Sequence, residues 1–324
     1  MQILIIKPSS LGDIICALPV AQSIRDQMPD AVISWVVKSR FAEIVRRCPT
    51  VNGDVIEFDH HPGVRGLREL WKTIGDLRHR EFDTVLDFQG LLRSGLMTSA
   101  VKAPLKIGSP DGREGSRLAC DQIVSQPNGG KDTHAIERLL QFLPPIGLEP
   151  SLRSPVVIHG DSPDAIDSRL TNAAPVVMIP NSRGAHKEWP GFPQLTTALL
   201  QANTDMTVAW DSHLAWDDPP TKHGDRFINL TTQTSLLQMV DLLRRARLVI
   251  ANDSGPLHIA AALGVPTLGL FGPTSPERFG PFPLTEPRNN ALSSATDNMA
   301  DLSMDTVLTS VMSVISRDSR SRAA

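Results

Sequence analysis

Short β-branched runs alternate with segments of helical spacing along the whole chain, and this alternation constrains the fold more than any other feature. The run "ILIIK" (3–7) is typical of a buried strand. Apolar residues then recur at helical spacing from Ile14 to Ile24, and Pro29 ends that pattern. A strand, a helix and a second strand in this order form a parallel sheet with a right-handed crossover, so the sequence predicts an α/β protein.

Both halves of the chain show the alternation. The predicted strands are 3–7, 32–37, 54–58 and 82–88 in the first half and 175–180, 206–210, 226–230, 246–252 and 265–271 in the second, with early helices near 40–47 and over 66–79. A final amphipathic helix, before a polar tail (317–324), is predicted from an apolar stripe at Met304, Val307, Leu308, Val311 and Ile315. Because 324 residues exceed the size at which one core stops growing, we predict two doubly wound domains, 1–150 and 151–324, joined at the proline- and glycine-rich stretch 144–155.

Charge, hydropathy and cysteine spacing exclude several classes of protein. A net charge of −3 offers no basic footprint for nucleic acid. The longest weakly polar run (258–272) is broken by Pro266 and is shorter than the roughly 18 apolar residues of a membrane span, and the N-terminal run is too short for a secretory signal. The three cysteines are far apart and show neither disulfide nor metal-ligand spacing, which favours a reduced cytoplasmic setting.

The loop "NDSGPLH" (252–258) follows a predicted buried strand and opens a helix. Ligands of open parallel sheets bind beyond the carboxyl ends of the strands, and the free amides of Ser254 and Gly255 are expected there, where the helix dipole attracts phosphate. A carboxylate aimed at a diphosphate would repel it, so Asp253 is expected either to cap the helix or to face hydroxyl groups. His258 is either a partly buried helix residue or part of the same site.

Two other loops at strand ends carry charged groups. "NSRGAHKEWP" (181–190) supplies Arg183 and Lys187, which either hold a leaving diphosphate or form a solvated turn. In "KPSSLGDII" (7–15), Asp13 is either the N-cap of the first helix or a carboxylate at the mouth of the cleft between the two halves, able to take a proton from a hydroxyl nucleophile.

Basic side chains in the first half are candidates for binding an acidic partner. They are Arg93, Arg113, Arg117, His134 and Arg138. His134 and Arg138 are spaced i, i+4 on a helix predicted to begin near Asp132, so they are expected to share one face. Ordinary solvated side chains remain the alternative.

Four segments of the chain resemble a known family. They are "KPSSLGDIICALP" (7–19), "DFQGLLRSG" (87–95), "PNSRGAHKEWP" (180–190) and "NDSGPLHIAAALGVPTLGLFGPTSPERFGP" (252–281), and they resemble the ADP-heptose:lipopolysaccharide heptosyltransferases, glycosyltransferase family nine. The blocks stand in the family's order over nearly the whole chain, and the last is the most specific.

The resemblance implies a GT-B fold, in which two Rossmann-like domains face each other across a cleft. It implies an acceptor domain at the N-terminus and a nucleotide-sugar (donor) domain at the C-terminus, with the last helix a candidate for packing back on the first domain. The implied reaction is an inverting single displacement that moves a heptose or related sugar from an ADP-sugar to a lipopolysaccharide inner-core type acceptor. No metal or other cofactor is implied. The partners are then the nucleotide sugar and a lipid-linked glycan at the inner membrane surface, and the protein is cytoplasmic and peripheral on that membrane.

Residue roles follow from the resemblance. Asp13 corresponds to the general base, Lys187 to the cation on the donor phosphates, and Asp253 to the group that meets the donor sugar's hydroxyls. The donor-binding set is Arg183, Lys187, Asp211, Asp253, Ser254, Gly255 and His258, and the acceptor-binding set is Ser10, Gly12, Arg93, Arg113, His134 and Arg138. The chain departs from the family in the loop "DSHLAWDDPP" (211–220), where a glycine-rich turn is common, and Asp211 is the nearest candidate there for a nucleoside contact.

Two other enzyme classes share doubly wound halves. An NAD-dependent oxidoreductase needs a Gly-x-Gly-x-x-Gly turn after its first strand, and "PSSLGD" (8–13) lacks it. A nucleotide-sugar epimerase of the same bilobal fold remains an alternative, because its donor site would look alike.

Overall fold

A computed structural model of the chain describes residues 1–59, 63–171, 173–202, 205–216 and 224–323, except the side chains of residues 318–323. The chain divides into two compact units, Met1–Ile158 and His159–Ala324. Each unit is built on its own six-stranded parallel sheet.

The first unit alternates strands and helices as an α/β pattern requires. Its strands are β1 (Gln2–Ile6), β2 (Val32–Val37), β3 (Val55–Glu57), β4 (Thr84–Asp87), β5 (Leu105–Gly108) and β6 (Gln122–Ile123). Its α-helices are α1 (Leu11–Gln27), α2 (Ser39–Arg46), α3 (Gly63–Leu77), α4 (Leu92–Ala100) and α5 (Ala135–Leu140). The strand order is β3-β2-β1-β4-β5-β6. Every side chain from Ile3 to Ile6 is fully buried, as expected for a central parallel strand covered on both faces.

The second unit repeats this topology. Its strands are β7 (Val176–Ile179), β8 (Val208–Trp210), β9 (Phe227–Asn229), β10 (Leu248–Asn252), β11 (Thr267–Phe271) and β12 (Asn289–Ser293). Its α-helices are α6 (Phe192–Ala202), α7 (Leu236–Arg245), α8 (Gly255–Ala262), α9 (Pro276–Phe279) and α10 (Met304–Ala323). The strand order β12-β11-β10-β7-β8-β9 equals that of the first sheet when the strands are counted from the start of the unit.

Strand order reverses at one place in each sheet, and this fixes where a ligand can enter. The first and fourth strands of each unit are neighbours, β1 with β4 and β7 with β10, and both pairs are parallel. The connections leaving such a pair go to opposite sides, so a crevice opens at their carboxyl ends. The loops after these four strands are therefore where the polar side chains of a site are expected.

All the predicted strands form, but three strands of the structure were not predicted from the sequence. β5, β6 and β12 carry the sequences "LKIG", "QI" and "NNALS", which are short or polar and lack a β-branched run. They extend the two sheets toward their edges, where burial is weaker and a hydrophobic pattern is not required. The α/β, doubly wound fold class predicted from the sequence is confirmed.

The apolar stripe of α10 packs into the core of the second unit. Val307, Val311 and Ile315 are buried beside Trp189 and Phe192. The helix was predicted to end before the polar tail, and that was wrong: its backbone continues to Ala323. The tail contains no proline or glycine that would stop a helix. No helix among the described residues is long and apolar enough to cross a membrane.

The α10 packing gives a stability test. Ile315 is 5% exposed in the second core, whereas Met312 on the same helix is 37% exposed. Ile315→Ala should lower the free energy of unfolding of the second unit by about 2–5 kcal/mol, because it removes buried methylene groups and leaves a cavity. Met312→Ala, the matched control, should change it by less than about 0.5 kcal/mol. Urea unfolding followed by circular dichroism measures both; equal effects would mean that the helix does not dock through this stripe.

Candidate active site

A lysine, a carboxylate and a hydroxyl meet at the carboxyl edge of the second sheet. The Nζ of Lys187 lies 2.7 Å from Oδ2 of Asp253, and the hydroxyl of Thr274 donates to the same oxygen at 3.0 Å. The three residues come from the loops after β7, β10 and β11, which are neighbouring strands. The side chains of Lys187 and Asp253 are 25% and 11% exposed, so water screens this ion pair less than it screens a surface pair. The arrangement presents a cation and a carboxylate to one ligand.

A buried amide holds the lysine loop against the end of β10. Asn252 is fully buried; its Nδ2 donates to the carbonyl of Pro180 at 2.8 Å, and its Oδ1 accepts from the backbone N–H of Trp189 at 3.1 Å. The carboxylate of Glu188 also accepts from the N–H of Ser182 at 2.9 Å. The loop is thus fastened on both sides of Lys187. Sequence reasoning missed Asn252, although a polar residue closing a buried strand was a usable signal.

The first turn of α8 lies directly after Asp253. Ser254 is the N-cap residue, and Gly255 begins the helix. Asp253 was considered as a cap, and that alternative is wrong, since its carboxylate bonds Lys187 and Thr274 instead. The hydroxyl of Ser254 is buried and makes no hydrogen bond within the part of the chain that the structure describes. His258 is partly buried in α8.

The other predicted donor residues lie differently. Arg183 is exposed in the loop after β7, three residues before His186 in the short 3-10 helix Ala185–Lys187. Asp211 ends up fully buried just beyond β8, where its Oδ1 accepts the hydroxyl of Thr234 at 2.7 Å. Its other oxygen has no hydrogen-bond partner among the described residues. A nucleoside would reach this carboxylate only if the surrounding groups moved. Residues 217–220 of the predicted contact loop lie outside the described residues.

In the first unit, Asp13 lies at the start of α1, above the end of β1. Ser10 is the N-cap, and its N–H and hydroxyl donate to Oδ2 of Asp13 at 2.9 and 2.6 Å. The reading of Asp13 as the N-cap is therefore wrong: it stands three residues later and its side chain bonds back to the cap, as the acidic residue of a capping box does. The Asp13 side chain is 49% exposed. Gly12 lies in the same first turn.

Lys7 is a buried cation beside this carboxylate, and the sequence reasoning did not select it. It is 7% exposed, its Nζ lies 3.7 Å from Oδ1 of Asp13, and it donates to the carbonyl of Phe88 at 3.2 Å. It therefore connects the loop after β1 with the loop after β4, at the point where the strand order reverses. A lysine that directly follows a fully buried strand was the available signal.

Asp87 is a buried carboxylate that holds the loop after β4 by hydrogen bonds. It is 1% exposed and accepts from the N–H groups of Gln89 and Gly90 and from the hydroxyl of Ser94, at 2.9–3.0 Å. Burial raises the pKa of its carboxyl, and these hydrogen bonds partly oppose the rise. Its role is to hold the loop that carries Arg93 into α4.

The basic side chains predicted to bind the acceptor lie in different environments. Arg93, Arg113 and Arg117 are exposed, and the backbone N–H of Arg113 donates to the carbonyl of Gly90 at 2.8 Å. The shared helix face of His134 and Arg138 was wrong, because α5 begins at Ala135 and His134 is its N-cap, with Nδ1 accepting from the N–H of Ile136 at 3.2 Å. His134 is buried, and Arg138 forms an ion pair with Asp111.

The described residues contain no group of three histidine, cysteine, aspartate or glutamate side chains that could hold a metal ion. The cationic and helix-end groups after β7 and β10 are the ones suited to a diphosphate. Two units with the Rossmann strand order, each with charged side chains at the point of reversal, are typical of the GT-B fold class.

Comparison with known proteins identifies the family. The chain belongs to glycosyltransferase family 9 (heptosyltransferase), which it matches over residues 69–312. It is 29% identical to lipopolysaccharide heptosyltransferase 1 of Pseudomonas aeruginosa over 85% of this chain and 80% of that protein. It is 26% identical to the lipopolysaccharide core heptosyltransferase OpsX of Haemophilus influenzae over 86% of this chain and 81% of that protein.

The fold agrees with a solved relative. The Escherichia coli heptosyltransferase WaaC with ADP superposes with a TM-score of 0.77 at 22% identity, covering 97% of this chain and 100% of that one. The resemblance seen in the sequence is confirmed, and with it the prediction of a glycosyl-transferring enzyme. The epimerase and oxidoreductase alternatives are set aside by the family match.

Asp211 gives a pH test. Burial raises its pKa to about 6, from an ordinary value of 3.8. The folded state therefore binds more protons than the unfolded chain between about pH 4 and pH 6, and Asp211 makes stability fall as the pH rises through that window. Asp211→Asn cannot ionise, so its free energy of unfolding should decline less between pH 4 and pH 7, by an amount on the order of 3 kcal/mol.

The measurement is urea unfolding at four pH values from 4 to 7. Asp225→Asn, at an exposed site, is the control and should follow the unsubstituted protein. If Asp211→Asn also follows the unsubstituted protein, the Asp211 carboxyl is not protonated in the folded state.

Proposed function

We propose that this enzyme moves a heptose or related sugar from an ADP-sugar to a lipopolysaccharide inner-core type acceptor, with inversion at the anomeric carbon. The observation that carries the proposal is the Lys187–Asp253 pair at the first turn of α8. Family membership supports transfer of a heptosyl group. The names of the P. aeruginosa and H. influenzae relatives support a lipopolysaccharide acceptor, and the ADP in the E. coli structure supports an ADP-sugar.

The donor is assigned to the second unit. Lys187 and the amides at Ser254 and Gly255 bind the diphosphate, because a cation and free helix-end N–H groups both favour an anion. Asp253 accepts hydrogen bonds from the sugar hydroxyls, and Thr274 keeps its carboxylate oriented. The ion pair with Lys187 offsets the repulsion that an isolated Asp253 carboxylate would exert on the diphosphate. Arg183 and His258 complete the assigned set, and Asp211 is assigned to positioning rather than direct contact.

The acceptor is assigned to the first unit. Asp13 is the base, held by two hydrogen bonds from Ser10 and by the neighbouring Lys7. Arg93 and Arg113 are assigned to the acidic groups of the acceptor, since guanidinium groups bind carboxylate and phosphate in a bidentate manner. Gly12 lies beside Ser10 and allows the sugar to approach the backbone. We assign His134 and Arg138 to the structural support of this surface rather than to contact with the acceptor.

The chemical step is a single displacement. Asp13 takes the proton of an acceptor hydroxyl while the hydroxyl oxygen bonds the anomeric carbon from the face opposite the nucleotide. The bond from that carbon to the diphosphate oxygen breaks, and ADP leaves with the electron pair. Lys187 and the helix-end amides stabilise the charge that develops on the leaving group, an effect typically worth about 3 kcal/mol for each preorganised donor.

Asp13→Asn tests the assignment of the base. The amide cannot take the proton, so turnover should fall by about 10²–10⁴-fold, whereas donor affinity should stay within about twofold. Turnover is measured with saturating donor and acceptor, and affinity by calorimetry with ADP. Asp30→Asn, an exposed control in the same unit, should keep full turnover. Undiminished turnover in Asp13→Asn would take the base role away from this residue.

Lys187→Ala tests the donor site. Loss of a charge-assisted contact to phosphate should weaken ADP binding by about 10–100-fold, as measured by calorimetry. The double variant Lys187→Ala/Asp253→Asn separates two causes. If the loss came only from exposing the Asp253 carboxylate, the double variant would bind ADP normally; if Lys187 contacts phosphate, binding stays weak. Unchanged ADP affinity in Lys187→Ala would refute the assignment.

A further inference from the structure

Lys7 is a buried cation that lies beside the proposed base. It directly follows β1, whose residues from Ile3 to Ile6 are fully buried, and is itself only 7% exposed. A lysine is rarely buried unless its charge is paired, because removing an ammonium group from water is costly. Groups near the end of β1 must therefore offset that cost.

The position of this ammonium group is fixed from both ends of the residue. The backbone N–H of Lys7 donates to the carbonyl of Val36 at 3.2 Å, and its own carbonyl accepts from Nε1 of the buried Trp35 at 3.2 Å. At the other end, Nζ donates to the carbonyl of Phe88 at 3.2 Å. The side chain is thus held between β2 and the loop after β4, and Nζ has one defined place.

Two carboxylates face that place. Oδ1 of Asp13 lies 3.7 Å from Nζ. Burial raises the pKa of Asp87, whereas its hydrogen bonds and the charge of Lys7 lower it, so this carboxylate also lies in the field of the lysine. Asp87 already accepts from two backbone N–H groups and from the hydroxyl of Ser94. Because those bonds orient Asp87 on their own, Asp13 is the carboxylate that Lys7 can orient.

The two oxygens of Asp13 have different surroundings. Oδ2 accepts two hydrogen bonds from Ser10, at 2.9 and 2.6 Å. Oδ1 faces Nζ of Lys7 at 3.7 Å, which is too long for a hydrogen bond but close enough for attraction. A hydrogen bond to a carboxylate oxygen lowers its tendency to take a proton. Oδ1 is therefore the oxygen suited to that task.

We propose that Lys7 is the positioning residue of the base, which turns Oδ1 of Asp13 toward the acceptor hydroxyl so that this oxygen receives the proton. The inference rests on the proposed function for the base role of Asp13. The proton leaves the acceptor oxygen as that oxygen bonds the anomeric carbon, and ADP leaves with the electron pair of the broken bond. An adjacent cation favours the ionised form of a carboxylate, which is the form able to take the proton.

A purely structural role for Lys7 makes a different prediction. The lysine would then serve only to hold the carbonyl of Phe88, and so the loop after β4 that leads to Arg93. Its loss would act on acceptor binding and raise the acceptor KM, whatever residue stands at position 13. A positioning role acts on kcat and requires the carboxylate of Asp13.

Lys7→Met removes the charge and keeps a side chain of similar length. Its kcat should fall about 10–100-fold, because a small displacement of a reacting group costs that much. The acceptor KM and the affinity for ADP should stay within about twofold. Lys102→Met, which breaks an exposed ion pair with Glu81 in the same unit, is the matched control and should keep full turnover. Lys7→Gln replaces Lys7→Met if circular dichroism shows that the latter does not fold.

A double-mutant cycle on turnover decides whether Lys7 acts through Asp13. In Asp13→Asn the base is already lost, so adding Lys7→Met should lower the residual turnover by less than about twofold. Residues with separate roles would instead multiply their losses. Residual turnover is measured with radiolabelled donor over long incubations.

The same cycle on stability needs no substrate. Urea unfolding of Lys7→Met, Asp13→Asn and the double variant gives three changes in the unfolding equilibrium constant. The change in the double variant should be smaller than the product of the single changes by about fivefold, because each single substitution already breaks the ion pair. Independent changes would mean that the two side chains do not interact.

The outcomes separate this inference from the proposed function. If the unsubstituted enzyme transfers no heptose but unfolding couples Lys7 to Asp13, the proposed function fails and Lys7 still positions that carboxylate. If Asp13→Asn loses turnover while Lys7→Met keeps it, the proposed function stands and this inference is overturned. It is also overturned if the losses multiply in the double variant, if only the acceptor KM changes, or if the unfolding changes are independent.

Discussion

In an all-parallel sheet covered on both faces, polar side chains can stand only at the ends of the strands, and the site depends on this constraint. The strand interiors are apolar, so charged and amide groups collect where the strands end and the loops begin. Asp87, Asn252 and Asp211 stand at the ends of β4, β10 and β8, and each is buried. A buried polar group is costly unless it is hydrogen-bonded. Asp87 and Asn252 meet that requirement with groups on the following loop or a neighbouring one, and so fix a loop in place, whereas Asp211, among the described residues, bonds Thr234 through only one of its two oxygens.

The two units share one strand order but place different pairs of charged side chains at the point where it reverses. At the reversal point of the first sheet, Lys7 stands 3.7 Å from a half-exposed Asp13. At the reversal point of the second, Lys187 stands 2.7 Å from a nearly buried Asp253. Exposure decides what each carboxylate is suited to do. A carboxylate reachable from solvent can exchange a proton with an incoming hydroxyl, whereas one enclosed by a lysine and a threonine is suited to accept hydrogen bonds from a bound sugar.

The sequence predicted the parts of this arrangement that periodicity and composition encode. β-branched runs predicted the central strands, and the apolar stripe from Val307 to Ile315 predicted the buried face of α10. Edge strands such as β12 carry no such pattern, because they are buried less. Contacts between loops could not be predicted from the sequence either, because they join distant positions: the hydrogen bonds of Asn252 to Pro180 and Trp189 span more than sixty residues of chain. The position of His134 depended on where α5 begins, and a helix start is set by a cap rather than by periodicity.

The α3 helix shows why local pattern and tertiary role differ. A helix on a sheet needs one apolar stripe, and Leu70, Ile74 and Leu77 provide it for α3. Val64, Leu67 and Trp71 form a second stripe that burial within the first unit does not account for. Leaving large apolar groups in water forgoes the free energy of their burial. The same helix thus packs on the fold with one sector, and the adjacent sector leaves three large apolar side chains exposed.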